Sequence, residues 1–170
     1  MNYQNRVVLF LDILGFSSII DKTIDSDDKD NTSYIESLYE TLSSMKSELN
    51  YRRKSGDNKV VTQFSDTIVI SFPEEKDNEV FLLFDDIQSL IIALIRKGIL
   101  VRGAISYGKL IHDRNIIFGP ALIDAYETEV KAALYPRVIL DKTIVDIGKN
   151  INDLNKFHYL EMSLIVRSYD

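Results

Sequence analysis

An apolar run, Val7-Val8-Leu9-Phe10-Leu11, closes on Asp12 and passes through Ile13-Leu14 into Gly15-Phe16, the pattern of a buried strand that ends in a turn. The pattern predicts a strand over residues 6–11 and a short helix after Gly15 with Ile19 and Ile20 turned inward. Residues 25–32 are polar and rich in turn formers, so they read as an exposed loop. Ile35, Leu38, Tyr39, Leu42, Met45 and Leu49 then recur at helical spacing, and that helix should end in the basic cluster at 51–54, before Gly56. Residues 59–64 and 67–72 are β-branched and aromatic and lie two residues apart, which predicts a hairpin with Ser65-Asp66 at its tip. A second helix is expected over 79–97, with Val80, Leu83, Phe84, Ile87, Leu90, Ile91 and Leu94 on one face and Gly98 as its stop. Beyond it the pattern gives a strand at 99–106, a polar turn at 112–115 and a short strand at 116–118. A helix from Pro120 to about residue 134, a strand at 137–140 and a short helix capped by Asp141 complete the chain.

Strand, helix, helix, strand, strand, helix, strand is the order of a ferredoxin-like α+β domain, a mainly antiparallel sheet with helices on one face and the other face open to a ligand or partner. The 170 residues, 45% of them hydrophobic, suffice for one domain with a sizeable core, and no repeat, low-complexity tract or linker divides them. A net charge of -6 and a pI near 5.0 argue against general nucleic-acid binding, which needs a basic surface for counterion release. Cysteine is absent and neither a leader nor a membrane-length apolar run is seen, so a cytoplasmic location with no membrane partner is expected.

The candidate chemistry lies in Asp12 and Asp66. A strand-end carboxylate and a hairpin-tip carboxylate at one sheet edge can jointly hold metal ions, and with them a metal-bound triphosphate. The motifs around them carry a family resemblance. Phe10-Leu11-Asp12-Ile13-Leu14-Gly15-Phe16 resembles the metal-binding first strand of class III nucleotidyl cyclases, and Phe64-Ser65-Asp66 resembles their second metal-binding turn. Val101-Arg102-Gly103-Ala104-Ile105-Ser106-Tyr107-Gly108 resembles the strand that follows. The stretch from Phe118-Gly119-Pro120 to Glu127-Thr128-Glu129, with Tyr135-Pro136-Arg137 after it, is similar to the pyrimidine cyclases of the Pycsar anti-phage systems, which make cyclic UMP or cyclic CMP. The resemblance covers about residues 6–140, and the ordered set of motifs is far more specific than any one of them.

The resemblance implies two divalent cations, Mn²⁺ or Mg²⁺, held by Asp12, Asp66 and the main-chain carbonyl of Ile13, with triphosphate contact near Gly15 and Phe16. It implies a homodimer with active sites at the subunit interface and a substrate, UTP or CTP, whose cyclic product activates a separate effector. The implied reaction is attack of the ribose 3′-oxygen on the α-phosphate with loss of pyrophosphate. Arg102 is the best candidate for a phosphate or transition-state contact, ahead of Lys131 and Arg137.

Several positions depart from the purine enzymes of this class. Their transition-state Asn and Arg correspond to Ile123 and Glu127, their base-selecting Lys to Thr62, and its later polar partner to Ile116. Adenine recognition of the usual kind is therefore not expected, while Thr62 and Gln63 can read either uracil or cytosine. Ser65 stands where many of the resembled enzymes have Gly, which strains the hairpin only if that residue needs a positive φ. The chain stops at Ser168-Tyr169-Asp170, where the resembled enzymes tend to continue into another strand, which leaves open both a whole domain and one cut short at its C-terminus. His112 and His158 match no metal-ligand spacing, and the acidic run at 27–30 lacks the Gly and terminal Glu of a calcium loop. The main alternative to an enzyme is a cyclase-like module that binds nucleotide or dimerises without turnover, which the residues at 123 and 127 favour. A diguanylate cyclase is excluded by the absence of its Gly-Gly-Asp/Glu-Glu-Phe signature.

Overall fold

The computed structural model describes residues 1–51, 59–73, 79–113 and 116–149; Arg52-Arg53-Lys54, His158 and the C-terminal Ser168-Tyr169-Asp170 lie outside them. Strand β1 (Gln4–Ile13) is followed by α1 (Phe16–Ile20), a 3-10 turn (Asp21–Thr23) and α2 (Thr32–Tyr51). The hairpin β2 (Val60–Phe64) and β3 (Thr67–Pro73) leads to α3 (Glu79–Arg96), β4 (Val101–His112) and β5 (Ile117–Phe118). Helix α4 (Pro120–Ala132), β6 (Val138–Leu140) and α5 (Lys142–Lys149) complete the described chain.

Among the described residues these strands form one sheet in the order β2-β3-β1-β4-β5, with β6 added parallel to β4 and the other pairings antiparallel. Strand β1 is central because its apolar run satisfies both neighbours. Leu9 pairs with Ile70 on one side and Ile105 on the other. Its alternation divides the molecule. Val7, Leu9, Leu11 and Ile13 pack with Ile68, Ile70 and Ile105 against Met45 of α2, Ile87, Leu90 and Leu94 of α3 and Ile144 of α5. Arg6, Val8, Phe10 and Asp12 occupy the opposite face.

That second face is not bare. Helix α4 lies across it, its Ala121 and Ala125 packed on Val8, Val69 and Leu110, and its Ala132 near Ala104 and Ile139. Alanines four residues apart make a shallow stripe that lets the helix sit close to the strands, and such a stripe has none of the large apolar side chains that mark a core helix in a sequence. Phe10 meets Tyr126 edge to face at 5.6 Å. Helices α2, α3 and α5 cover the first face, as the pattern anticipates.

Local departures from the expected pattern have plain causes. On α2 it is Leu42 and Met45 that reach the core, while Ile35 and Tyr39 are exposed. After β1, Ile19 packs and Ile20 is exposed. Strand β4 runs six residues past the expected end at Ser106, to His112, because a turn at Asp113 closes a β4–β5 hairpin. In that turn Ile116 N–H donates to Asp113 Oδ1 at 2.8 Å. Asp141 does cap α5, accepting from Thr143 N–H at 2.8 Å. No helix among the described residues is long and apolar enough to cross a membrane.

Candidate active site

Asp12 is the next-to-last residue of β1 and Asp66 the second loop residue of the β2–β3 hairpin, so the antiparallel pairing of β1 with β3 brings the two together at one sheet end. Their side chains are close enough to hydrogen-bond. Burial raises the Asp12 pKa above its ordinary value, the Asp66 charge raises it further, and the bond from Arg102 acts in the opposite sense. The hairpin holds Asp66 in place at a cost. Ser65 has φ 54°, in the left-handed region. A positive φ at the first loop residue and not the second is the sign pattern of a type II′ turn, which favours Gly at that position.

Arg102 faces Asp12 directly across the β1–β4 ladder. Its Nη2 and Nε donate to Asp12 Oδ2 at 3.3 and 3.4 Å. On its other side Nε stands 2.6 Å from Glu129 Oε1 as an ion pair. Glu129 is 2% exposed on the inner side of α4, and burial raises its pKa, Arg102 opposing and the Asp12 charge adding to the rise. The two strands approach so closely here that a Cβ on Gly103 would stand 2.4 Å from the Phe10 carbonyl oxygen. Two carboxylates, Asp12 and Glu129, thus flank one guanidinium, and Asp66 adds its negative charge beside Asp12.

Thr62 lies on the same face in the neighbouring row, Thr62, Val69, Phe10 and Ala104. Its hydroxyl is 2.9 Å from His112 Nε2, and His112 Nδ1 is 2.7 Å from Ser71 Oγ. Arg6 Nε donates to the same Ser71 Oγ at 2.8 Å, and its Nη2 donates to the Ser71 carbonyl at 3.2 Å. Burial, then the Arg6 charge, lowers the His112 pKa from 6.5 to about 4, with Asp113 acting the other way, so the imidazole is neutral near pH 7.

Gly15 joins β1 to α1 with φ 72°, a conformation that suits glycine. Phe16 turns its ring into the main core, which leaves backbone N–H groups as what this segment can offer a triphosphate. Ile13 is likewise a core side chain, which leaves its backbone as the part it can offer to a site. On α4, Ile123 is exposed and Glu127 pairs with Lys131 at 2.5 Å. Arg137 Nη2 donates to the Ala132 carbonyl and its guanidinium stands 6.0 Å from the Tyr135 ring centroid, ties that hold the α4–β6 turn. The structure therefore brings Asp12, Asp66 and Arg102 together, sets Thr62 one row away, and puts Arg137 and Lys131 into pairings of their own.

Arg6, Ser71, His112 and Glu129 were not anticipated as site residues. For Arg6 a signal existed: a cation inside an apolar strand, on the Asp12 side of the alternation. His112 could not be linked to Thr62 from spacing, because β4 brings it there from 50 residues away. No group of three His, Cys, Asp or Glu that could hold a metal ion occurs among the described residues.

No family model matches the chain, and no curated protein matches it. Solved structures do. The adenylyl cyclase CyaB from P. aeruginosa is similar with a TM-score of 0.63 and 13% identity, over 88% of this chain and 82% of that one. A bacterial light-regulated adenylyl cyclase gives 0.62 and 14%, again over 88% and 82%. A class III adenylyl cyclase-like ATP-binding protein from Pseudomonas aeruginosa gives 0.57 and 13%, over 95% of this chain and 40% of that one. The fold is that of class III cyclase catalytic domains.

Proposed function

We propose that the chain is a metal-dependent pyrimidine nucleotide cyclase that converts UTP to cyclic UMP and pyrophosphate, with CTP as the alternative substrate. The observation that carries the reading is the convergence of Asp12 and Asp66 beside Arg102 on a class III cyclase fold. The donor set suits a hard divalent cation. Asp12 and Asp66 repel each other, are both oxygen donors, and lack a third acidic or imidazole partner in a ready-made cage. Mg²⁺ and its like are bound in this manner, by one or two carboxylates, with substrate phosphates and water completing the shell.

Asp12, Asp66 and the Ile13 carbonyl would hold the two cations, Mn²⁺ or Mg²⁺. Cations bound there supply a lowered pKa at the ribose 3′-hydroxyl and neutralise the triphosphate. The 3′-oxygen forms a bond to the α-phosphorus, the bond to the β-phosphate oxygen breaks, and the 3′-proton leaves to water or a substrate phosphate. Both Asp side chains would serve as metal ligands and not as the acceptor of that proton. Glu129 keeps the Arg102 guanidinium beside Asp12, from where its free N–H groups can turn to a phosphate oxygen as charge builds there. Gly15 and Phe16 present main-chain N–H groups to the triphosphate, and Thr62 faces the base.

A second copy of the chain is the proposed partner. Phe64 is 80% exposed, and Ile123, Tyr126, Val130, Leu134 and Tyr135 add exposed apolar surface along α4 and beyond its end. The cyclic product would act on a separate effector in anti-phage defence, as the resemblance to the Pycsar enzymes implies. A second reading, a nucleotide-binding module without turnover, is favoured by α4 itself, where Ile123 and a Glu127 already paired with Lys131 stand in place of the Asn and Arg of the purine enzymes.

Incubation with Mn²⁺ and each of the four ribonucleoside triphosphates, followed by product analysis, separates the two. Cyclic product from UTP or CTP that vanishes in Asp66→Ala supports the enzyme. Nucleotide binding with no cyclic product from any of the four supports the module.

A further inference from the structure

We infer that Arg102, seated on the buried Glu129, is a built-in counter-ion of the Asp12–Asp66 pair: it weakens the grip of the nucleotide-free site on a divalent cation and gives way when a nucleotide's phosphates arrive, so that cation and nucleotide load together. The inference rests on the cyclase reading above and adds to it a regulation of the metal site.

Arg102 has two carboxylate neighbours, and they hold it unequally. Its Nε stands 2.6 Å from Glu129 Oε1, whereas its contacts to Asp12 both go to Oδ2 and measure 3.3 and 3.4 Å, long for a bond between two charged groups. Glu129 is 2% exposed and fixed on α4, while the Arg102 side chain is 30% exposed and has room to turn about that anchor. Letting go of Asp12 therefore sacrifices the weaker of the two ties. The charge itself cannot go far, because Arg102 is the residue opposite Asp12 in the β1–β4 ladder. A cation on Asp12 and the guanidinium would stand only a few ångströms apart, beside a carboxylate largely withdrawn from solvent, where screening is incomplete. Arg102 thus opposes a free divalent cation by like charge, and it already engages one of the two Asp12 oxygens. Phosphates reverse the balance. They add negative charge beside the guanidinium, whose N–H groups turn from Asp12 Oδ2 to a phosphate oxygen while Nε stays on Glu129, and Oδ2 is released to the cation. Each ligand then strengthens the other by the same factor.

Calorimetric titration of the nucleotide-free protein with Mn²⁺ tests the inference. Arg102→Gln should tighten Mn²⁺ binding about tenfold or more and lower the factor by which Mn²⁺ strengthens UTP binding, whereas Arg102→Lys keeps the charge and should hold Mn²⁺ near its wild-type affinity. A residue that only aligned Asp12 would give the opposite sign, a looser Mn²⁺ on its removal. Arg102→Gln also leaves Glu129 buried without its cation, so Arg102→Gln/Glu129→Gln removes the ion pair as a unit and should still tighten Mn²⁺ binding, now with no change in net charge. Mn²⁺ binding no tighter in either glutamine variant than in the wild type, an undiminished effect of Mn²⁺ on UTP binding in Arg102→Gln, or a gain as large in Arg102→Lys would each overturn the counter-ion role while leaving a cyclase intact. Failure of the wild type to bind either Mn²⁺ or any nucleoside triphosphate would overturn it together with the reading beneath it.

Discussion

Acid should weaken this fold through one imidazole, and the size of the effect can be worked from its surroundings. His112 is 7% exposed and faces the Arg6 guanidinium, with the Asp113 carboxylate acting in the opposite sense. Protonation would bury a second cation against Arg6 and turn Nδ1 from an acceptor into a donor aimed at Ser71. The folded pKa of about 4 lies below the ordinary 6.5, so between those values the unfolded chain binds a proton that the folded chain refuses. Stability from this group is present in full above pH 6.5 and is lost as pH falls toward 4. A displacement of that size is worth about 3 kcal/mol. Asp12 and Glu129 act in the reverse sense, since their raised values make the folded chain the better proton acceptor and return stability as pH falls. The raw pH curve therefore mixes the two, and the difference between wild type and His112→Gln isolates the imidazole. Urea unfolding from pH ~8 down to pH ~4 should show the wild type losing about 2 to 3 kcal/mol more than the variant. Parallel curves, or an NMR titration placing the imidazole near its ordinary pKa, would refute the argument.

Other substitutions probe the carboxylate cluster and its supports. Asp66→Asn removes the charge that raises Asp12, so it should stabilise the metal-free protein by about 1 kcal/mol in thermal or urea unfolding while abolishing Mn²⁺ binding measured by calorimetry. Ser65→Gly relieves a left-handed residue at φ 54° and should gain about 0.5 to 1 kcal/mol in the same unfolding assays; a loss would show that the Ser65 side chain compensates for its backbone. Gly103→Ala forces a methyl against the Phe10 carbonyl and should cost about 3 kcal/mol, together with the alignment of Asp12 and Arg102, read as loss of Mn²⁺-dependent nucleotide binding before global unfolding.

What could be read in advance was what the chain encodes locally. Strand β1 announces itself by an apolar run, and the β2–β3 hairpin by two β-rich segments with a two-residue gap, so the elements carrying Asp12 and Asp66 were legible. Their convergence needs strand order, which spacing does not contain, and it came from the ordered motifs. Helix α4 was legible as a helix and not as a lid, because its contact stripe is alanine and a buried Glu129 that resembles a surface residue in sequence. The Thr62 network stayed hidden for a different reason. Its members come from β1, β2, β3 and the far end of β4, and only the continuation of β4 beyond Ser106 brings His112 to Ser71 and Thr62.

The same alternation that builds the core also secures the site. On β1 the odd positions Val7, Leu9, Leu11 and Ile13 are buried in the main core, and the even positions Arg6 and Asp12 belong to the polar face. A one-residue slip against β3 or β4 would drive Arg6 and Asp12 into that core and push the aliphatic row against the alanine stripe of α4, so the register is set by the core. This is what permits the polar face its strain. Mutually repelling carboxylates, a left-handed Ser65 and a buried Arg6 would each loosen a sheet that had to hold itself through that face. Here the opposite face supplies the packing, and the residues around Asp12 are free to be selected for charge and hydrogen-bond direction instead of stability.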